Sequence, residues 1–353
     1  MPDFAVARTP DNTKPLGFGI IGTGAIARHH ARSIEQLEST HLVGVCSSSP
    51  ERAAAASEKF GVKGYSDLDQ LLDRPELDVV CICTQSGRHL EAIIAAARAG
   101  KHILVEKPIE VTMDRALKAI AVCKEEGVKL GVVFQSRFNP QYQKIKQAVE
   151  AGKFGKLLLG NAYIKWYRDP EYYSSSQWRG TIAGDGGAAL INQGIHTIDL
   201  LLDLMQEVES VYGQVKTTVH DIEGEDVGVA IVNFKNGALG SIEGGTALYP
   251  GYPERLEIYG EKGSVVFEAG KILHWNIKDA PKEEPSSLQG TSSGSREPLN
   301  VDYRLHMKQI DDMVQAIRLN REPAVTGETG LNSLELIKAI YESSHINKKI
   351  DLS

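Results

Sequence analysis

Two short segments of this chain carry residues able to move a proton or stabilise charge. Glu106-Lys107-Pro108 follows the apolar run His102 to Val105, and a lysine at the carboxyl end of a strand can stabilise negative charge developing on a bound ligand. Downstream, Asn192, His196 and Asp199 fall at i, i+4 and i+7, which places an amide, an imidazole and a carboxylate on one helix face. Imidazole is the side chain best suited to general acid or base work near neutral pH. A lone histidine in such a setting is more often a hydrogen-bonded core residue; the triple spacing favours chemistry. Just upstream, Trp166-Tyr167-Arg168-Asp169-Pro170-Glu171-Tyr172-Tyr173 and Trp178-Arg179-Gly180 concentrate aromatic rings. Trp166, Tyr173 and Trp178 could stack on the C–H faces of a pyranose, and Arg168 or Arg179 could grip a carboxylate or phosphate bidentately. Aromatic packing beneath a loop is the competing reading. Tyr249-Pro250-Gly251-Tyr252 is a second candidate wall.

A third segment concerns a cofactor. Gly22-x-Gly24-x-x-Ala27 lies after the apolar run Gly17 to Ile21 and opens a helical pattern. Gly22 permits a tight turn, Gly24 lets the backbone approach a pyrophosphate, and Ala27 lets the helix pack on the sheet. Thr23, Ala25 and Ile26 complete the turn. At the end of the second strand, where an acidic residue would bind the ribose hydroxyl of NAD, stands Ser47-Ser48-Ser49-Pro50-Glu51-Arg52. Hydroxyls and a guanidinium at a helix N-terminus suit a 2′-phosphate, so NADP is the expected cofactor, with NAD as the alternative. The bland reading is that Ser49 caps a helix and Arg52 is solvated. Ser47, Ser48, Arg52, Thr84, His89, Glu106, Lys107 and Gln135 join the glycine turn as candidate cofactor contacts.

The elements that must position these residues follow from periodicity. Gly17–Ile21, Leu42–Cys46, Val79–Cys83, His102–Val105 and Lys129–Phe134 are short, continuously apolar runs. Helical patterns separate them, including Glu51–Phe60, Leu90–Ala99 and Met113–Glu126. Such alternation indicates a parallel sheet covered on both faces. From Lys156 onward the runs alternate instead: Val208–Thr218, Val227–Phe234, Leu239–Glu243, Arg255–Tyr259, Ser264–Phe267 and Ile272–Ile277. Asn236-Gly237 is a hairpin signal, and about six strands, mostly antiparallel, are expected. A helix containing His196 to Leu202 would cover one face, and Val229, Ile231 and Asn233 would leave the other only partly polar. That open face predicts a homodimer or homotetramer through the C-terminal sheet. Pro281 to Pro298 reads as a surface loop, and Tyr303–Asn320 and Leu331–His345 as helices.

The fold class is therefore α/β: an N-terminal doubly wound Rossmann domain over 16–134, preceded by an extension over 1–15. A C-terminal α+β domain over 135–353, with an open, mostly antiparallel sheet, follows it, and its last helices could pack back on the first domain. At 353 residues two domains are the prior expectation. A net charge of −7, from 39 Lys+Arg against 46 Asp+Glu, offers no basic face for nucleic acid. Cys46, Cys81, Cys83 and Cys123 are too scattered for a disulfide framework, and no Cys/His cluster has zinc spacing, so buried thiols and no metal are expected. No apolar run is long enough for a membrane span and the N-terminus lacks a secretory h-region, which points to the cytoplasm.

Taken together, Gly22-x-Gly24-x-x-Ala27, Glu106-Lys107-Pro108 and Gly194-Ile195-His196-Thr197-Ile198-Asp199 resemble the Gfo/Idh/MocA family, which includes glucose–fructose oxidoreductases and inositol dehydrogenases. The likeness runs from Leu16 to about Ile350. It implies NAD(P)-linked hydride transfer at a secondary alcohol or ketone of a sugar, sugar derivative or cyclitol, with Lys107 and His196 as the catalytic pair. Ser47 and Arg52 resemble their counterparts in NADP-dependent members such as 1,5-anhydrofructose reductase. The family often carries Asp four residues before the histidine, where this chain has Asn192. The aromatic segment is similar to that of dehydrogenases oxidising C3 of UDP-linked N-acetyl-hexosaminuronates. On this reading His196 is the base for the hydroxyl proton, Lys107 stabilises alkoxide character and Asn192 orients the hydroxyl, with the roles of Lys107 and His196 exchangeable. The substrate contacts expected are Trp166, Arg168, Tyr173, Trp178, Arg179, Asn192 and His196. Two alternatives accompany it: redox-assisted glycoside cleavage with bound NAD(H), and a non-catalytic NAD(P)-sensing regulator.

Overall fold

Helix starts and stops follow local chemistry along the chain. In the computed structural model, which describes residues 14–279 and 302–352, Ser49 caps α2, Pro50 takes its first position and Gly61 ends it at φ 67°. The first unit comprises residues up to Gln135 together with Tyr303–Leu331. It alternates β1 (Leu16–Ile21), α1 (Ala27–Glu35), β2 (Thr40–Cys46), α2 (Pro50–Phe60), β3 (Lys63–Tyr65), α3 (Leu68–Leu72), β4 (Val79–Ile82), α4 (His89–Arg98), β5 (His102–Val105), α5 (Met113–Glu125) and β6 (Leu130–Val132). All five strand pairs are parallel, in the order β3-β2-β1-β4-β5-β6. The order reverses between β1 and β4, and ligands of doubly wound sheets bind in the crevice beyond the carboxyl ends of such strands. β3 and α3 are absent from the sequence expectation because three and five residues are too few to show a period.

The second unit comprises Ser136–Asp302 and Asn332–Ser353. Its elements are α6 (Pro140–Glu150), β7 (Leu157–Lys165), α7 (Pro170–Ser174), α8 (Ile182–Asp185), a π-turn (Ala189–Gly194), α9 (Ile195–Met205), β8 (Val208–Lys216), β9 (Val227–Phe234), β10 (Leu239–Gly245), β11 (Arg255–Gly260), β12 (Gly263–Glu268) and β13 (Lys271–Ile277). After α10 (Tyr303–Arg318) and α11 (Gly327–Ile346), β14 (Ile350–Asp351) closes the edge. The sheet has eight strands rather than about six, ordered β13-β12-β11-β7-β10-β9-β8-β14, and only β7 and β10 run parallel. The second unit is not one continuous segment. α10 belongs to the first, where Ile310, Met313, Val314 and Ile317 pack into a core with Phe18, Ile20, Ala31 and Ile34. Leu190 of the π-turn fills the space a Cβ would need at Gly228 and Gly244, 2.9 and 2.5 Å away, and this seats the turn directly on the sheet. The proposed loop at Pro281–Pro298 and nearly all of the 1–15 extension lie outside the described residues.

All four cysteines are buried and free. Burial pushes the Cys46 and Cys83 thiols up to about 11 and Cys123 to about 12, so these three are inert protonated core groups at neutral pH. Among the described residues no helix is long and apolar enough to cross a membrane.

Candidate active site

The carboxyl ends of the parallel strands bring the cofactor candidates of the first unit to one edge. Gly22, at φ 93°, makes the turn out of β1, and a Cβ there would lie 2.6 Å from the Cys83 carbonyl oxygen. Gly24 differs: nothing lies within 4 Å of where its Cβ would be. No neighbouring protein atom demands glycine at that position, whereas a dinucleotide pressed against the backbone would. No side chain caps α1, whose N-cap is Ile26, so its first N–H groups can receive an anion. Thr23 and Ser47 hydroxyls lie 3.1 Å apart. Ser49 does cap α2, accepting from the Arg52 N–H at 3.3 Å, while the Arg52 guanidinium donates to Ser48 Oγ at 3.2 Å. Thr84 Oγ1 and Gln135 Oε1 are buried without a protein partner. Buried polar atoms are nearly always satisfied, and a dinucleotide held at this edge would offer partners for these two. The residues present thus fit a nicotinamide dinucleotide.

His89 is the exception. It is 0% exposed, with Nδ1 3.0 Å from the Pro108 carbonyl and Nε2 3.3 Å from the Thr84 carbonyl. Burial lowers its pKa, so the ring is neutral and its single N–H donates to one of the two carbonyls; fully buried, His89 braces the two loops rather than facing a cofactor. Glu106 is likewise buried: Oε1 accepts from His30 Nε2 at 2.8 Å, with His306 Nε2 at 3.9 Å, and Oε2 accepts from the Lys107 N–H at 3.3 Å. The ligand atoms of His30, Glu106 and His306 lie within 4.8 Å of one another, a donor set that the sequence analysis did not foresee because His306 is remote in the chain. Within it, His30 and Glu106 form a direct hydrogen-bonded pair. From His102 to Val111, Lys107 alone is not buried. Its backbone is clamped by Glu106 and its side chain is left accessible.

Burial alone would raise the Glu106 carboxyl, but hydrogen bonding and charge from His30, with His306 and Lys107, hold it down at about 2. A depressed carboxylate contributes stability above its unfolded value and loses it as pH falls through the folded one. From an ordinary 4.5 to about 2, the difference is on the order of 3 kcal/mol. Denaturant unfolding of wild type and Glu106→Gln between pH 5 and pH 3 is expected to show the wild-type advantage shrinking as pH falls; parallel curves would refute it.

The second unit carries the substrate candidates. The expected polar face of one helix is interrupted: Asn192 sits in the π-turn, which changes the angular step per residue, and His196 in the first turn of α9. From Ala188 to Leu202 these two alone are not buried. Asp199 is 1% exposed and engaged bidentately by Arg137 at 2.7 Å for both bonds, so it belongs to the core. Asn192 Nδ2 donates to Asp185 Oδ1, and Asn192 Oδ1 accepts from Gln193 Nε2 at 2.8 Å. Gln193 Nε2 also donates to the Tyr172 hydroxyl at 2.7 Å, and its Oε1 accepts from Arg168 Nε and Nη2 at 3.1 and 2.7 Å. Glu225 accepts from the Ala188 and Leu190 N–H groups and from the Tyr341 hydroxyl, anchoring the entry to the π-turn.

Arg168 is 2% exposed and its guanidinium lies 5.0 Å over the Trp166 ring. It holds Gln193 from within the core rather than projecting towards a ligand. Tyr173 is also core, with its hydroxyl 2.8 Å from Thr246 Oγ1 and its ring 4.8 Å from His220; it is not a stacking platform. Trp166 Nε1 is buried without a protein partner, an indole donor awaiting an acceptor. Trp178 and Arg179 are partly exposed, with Arg179 donating to Tyr172 O and Ser175 Oγ. Tyr249 meets Tyr167 edge-on at 5.3 Å. Strand alternation puts Tyr167 on the face opposite Trp166 and Arg168, so Tyr249 is no second wall for the same ligand. Asp185 and Gln193 were not singled out from the sequence, although both lie within the segment that carries His196.

Comparison with known proteins identifies the family. The profile described as an oxidoreductase family with an NAD-binding Rossmann fold matches residues 16–134, and that of the GFO/IDH/MocA C-terminal domain matches 142–266. The chain belongs to the Gfo/Idh/MocA family. Within it, myo-inositol 2-dehydrogenase of Thermotoga maritima is 27% identical over 96% of this chain and 98% of its own. The WlbA dehydrogenase of Bordetella pertussis, solved in complex with NADH and UDP-GlcNAcA, is 33% identical with a TM-score of 0.86, covering 96% of this chain and 99% of that one. Its counterpart from Chromobacterium violaceum, solved with the same two ligands, is 31% identical with a TM-score of 0.86 and covers 99% of both chains. This Gfo/Idh/MocA chain is thus an NAD(P)-dependent oxidoreductase of α/β architecture.

Proposed function

We propose that this oxidoreductase transfers hydride between a nicotinamide cofactor and a secondary alcohol of a sugar, and that the sugar is a nucleotide-linked N-acetyl-hexosaminuronate oxidised at C3. The observation that carries this is the 33% identity over 96% of the chain to a dehydrogenase solved with NADH and UDP-GlcNAcA. Bound nicotinamide supplies the hydride acceptor in oxidation and the donor in reduction. The His196 imidazole takes the proton of the substrate hydroxyl during oxidation and returns it in reduction. The Lys107 ammonium stabilises the alkoxide as it develops. Asn192 orients the hydroxyl, Trp166 Nε1 offers a hydrogen bond, and Trp178 with Arg179 forms the accessible aromatic and cationic edge. Absorbance of reduced nicotinamide tests this across UDP-linked uronates, free sugars and inositols with both cofactors. Turnover of inositols alone would overturn the nucleotide-sugar reading. Two alternative activities predict different results: a redox-assisted glycosidase would accumulate no reduced cofactor, and a sensor would turn over nothing.

NADP is the preferred cofactor in this reading, because Ser47, Ser48 and Arg52 replace an acidic residue that would repel a 2′-phosphate, and the Arg52 guanidinium already lies against Ser48. Arg52→Ala is expected to weaken NADP by about tenfold with little effect on NAD, since only NADP offers the phosphate. Ser47→Asp is expected to reverse the preference. Fluorescence titration of both cofactors measures it, and tighter NAD binding by wild type would overturn it.

The chain assembles as a homodimer or homotetramer through the open face of the second sheet. Val229 and Ile231 on β9 and Leu239 on β10 are 50%, 56% and 52% exposed, and Tyr212, Leu159 and Tyr259 extend the same face across β8, β7 and β11. An apolar surface spanning five strands is a partner surface. Sedimentation at micromolar concentration is expected to show the oligomer and Ile231→Glu to split it; a wild-type monomer would remove the assignment. The four buried, free cysteines support a reducing, cytoplasmic setting.

A further inference from the structure

Asp185 closes α8 and is 1% exposed. One carboxylate oxygen, Oδ2, accepts from the Gly180 N–H at 3.0 Å, and the other, Oδ1, accepts from Asn192 Nδ2. Burying a carboxylate is costly unless its lone pairs are met by donors, and here one of those donors is a side chain that reaches the accessible surface of the π-turn. The opposite end of the Asn192 amide accepts from Gln193 Nε2, which Arg168 holds in turn. The amide therefore has a single permitted orientation. Turning it over would press Oδ1 against the Asp185 carboxylate and Nδ2 against the Gln193 amide nitrogen. A carboxylate accepting from an amide N–H also polarises that amide, because linked hydrogen bonds strengthen one another in a low-dielectric surrounding.

We infer that Asp185 is a positioning residue for hydride transfer, acting through Asn192: it fixes the direction of the Asn192 amide and delivers negative charge to the substrate hydroxyl at one remove. The inference rests on the role of Asn192 in the proposed reaction and adds to it a buried charge with an identified transmitter.

Exchanging the two groups tests it. Asn192→Asp, with Asp185 retained, places two carboxyls in contact, and such a pair shares one proton with one titration displaced upward. Carbon NMR of labelled aspartate carboxyls in the full chain is expected to show a new titration above the usual carboxylate range in Asn192→Asp, and its loss in the exchanged Asp185→Asn/Asn192→Asp protein. In single-turnover hydride transfer, Asp185→Asn is expected to slow the step about tenfold, the worth of a hydrogen bond to a charged group. Cofactor affinity should stay close to wild type, while the melting temperature falls modestly, because the new amide nitrogen must face one of two donors, the Gly180 N–H or Asn192 Nδ2. Asn192→Asp should acquire a second titration in its rate profile beyond the one His196 gives wild type, and the exchanged protein should recover most of the rate without that second titration. A purely structural Asp185 would lower the melting temperature and leave the hydride-transfer rate and its pH profile unchanged, and that outcome overturns the inference. So does the absence of any raised carboxyl in Asn192→Asp. If Asn192→Ala itself transfers hydride at the wild-type rate, the reading of Asn192 fails first, and the two failures are told apart.

Discussion

His196→Ala is expected to lower the single-turnover hydride-transfer rate by roughly 100-fold to 10,000-fold, the range in which general acid–base assistance contributes. His196 and Asn192 are the accessible residues in an otherwise buried stretch, so truncation removes the proposed base without opening the core. Lys107→Ala is expected to lose a comparable factor. Its backbone is held by Glu106 and its loop by His89, and neither contact involves the lysine side chain. If the two act on one alkoxide, the double variant should lose less than the product of the single losses, since groups working on the same transition state are not additive. Cofactor affinity should change little in His196→Ala. Near-wild-type rates in both single variants would take them out of the mechanism and favour a sensing role.

Arg137→Met is expected to destabilise the second unit by about 3 to 5 kcal/mol, the range found when one partner of a buried ion pair is removed. Arg137 Nε and Nη2 bind both oxygens of Asp199, and Nη1 binds Asp203 at 2.8 Å. Asp203 also accepts from Lys146 and from the Tyr142 hydroxyl, each at 2.6 Å. Without the guanidinium, Asp199 at 1% exposure keeps only Ser333 Oγ at 3.2 Å among these partners. Burial pushes the Asp199 carboxyl up even with Arg137 in place, so its charge is tolerated only because it is paired. Arg137→Met/Asp199→Leu should regain part of the loss, because removing both charges leaves no uncompensated ion. Denaturant unfolding gives the comparison, and a loss below 1 kcal/mol for the single variant would contradict the pairing.

Much of the first unit was legible because its signals are local. A strand buried on both faces must be continuously apolar, a helix must repeat every 3.6 residues, and the turn joining β1 to α1 must contain Gly22 at positive φ; each is written within a few residues of itself. The same locality made Lys107 visible as a polar residue at a strand end. Substrate-side residues were read less well. Helical spacing alone grouped Asn192, His196 and Asp199, but the π-turn changed the register and Arg137 claimed Asp199 for the core.

The sequence by itself determined the two-domain order and the dinucleotide turn, since these depend on spacing along the chain. Tertiary structure alone decided that His306 reaches Glu106, that Tyr173 and Arg168 are interior, that Tyr249 joins the opposite sheet face, and that Asp185 grips Asn192. Those outcomes are set by strand order and by which face alternation gives each side chain. A residue's neighbours across a sheet come from distant parts of the chain, so no local pattern encodes them.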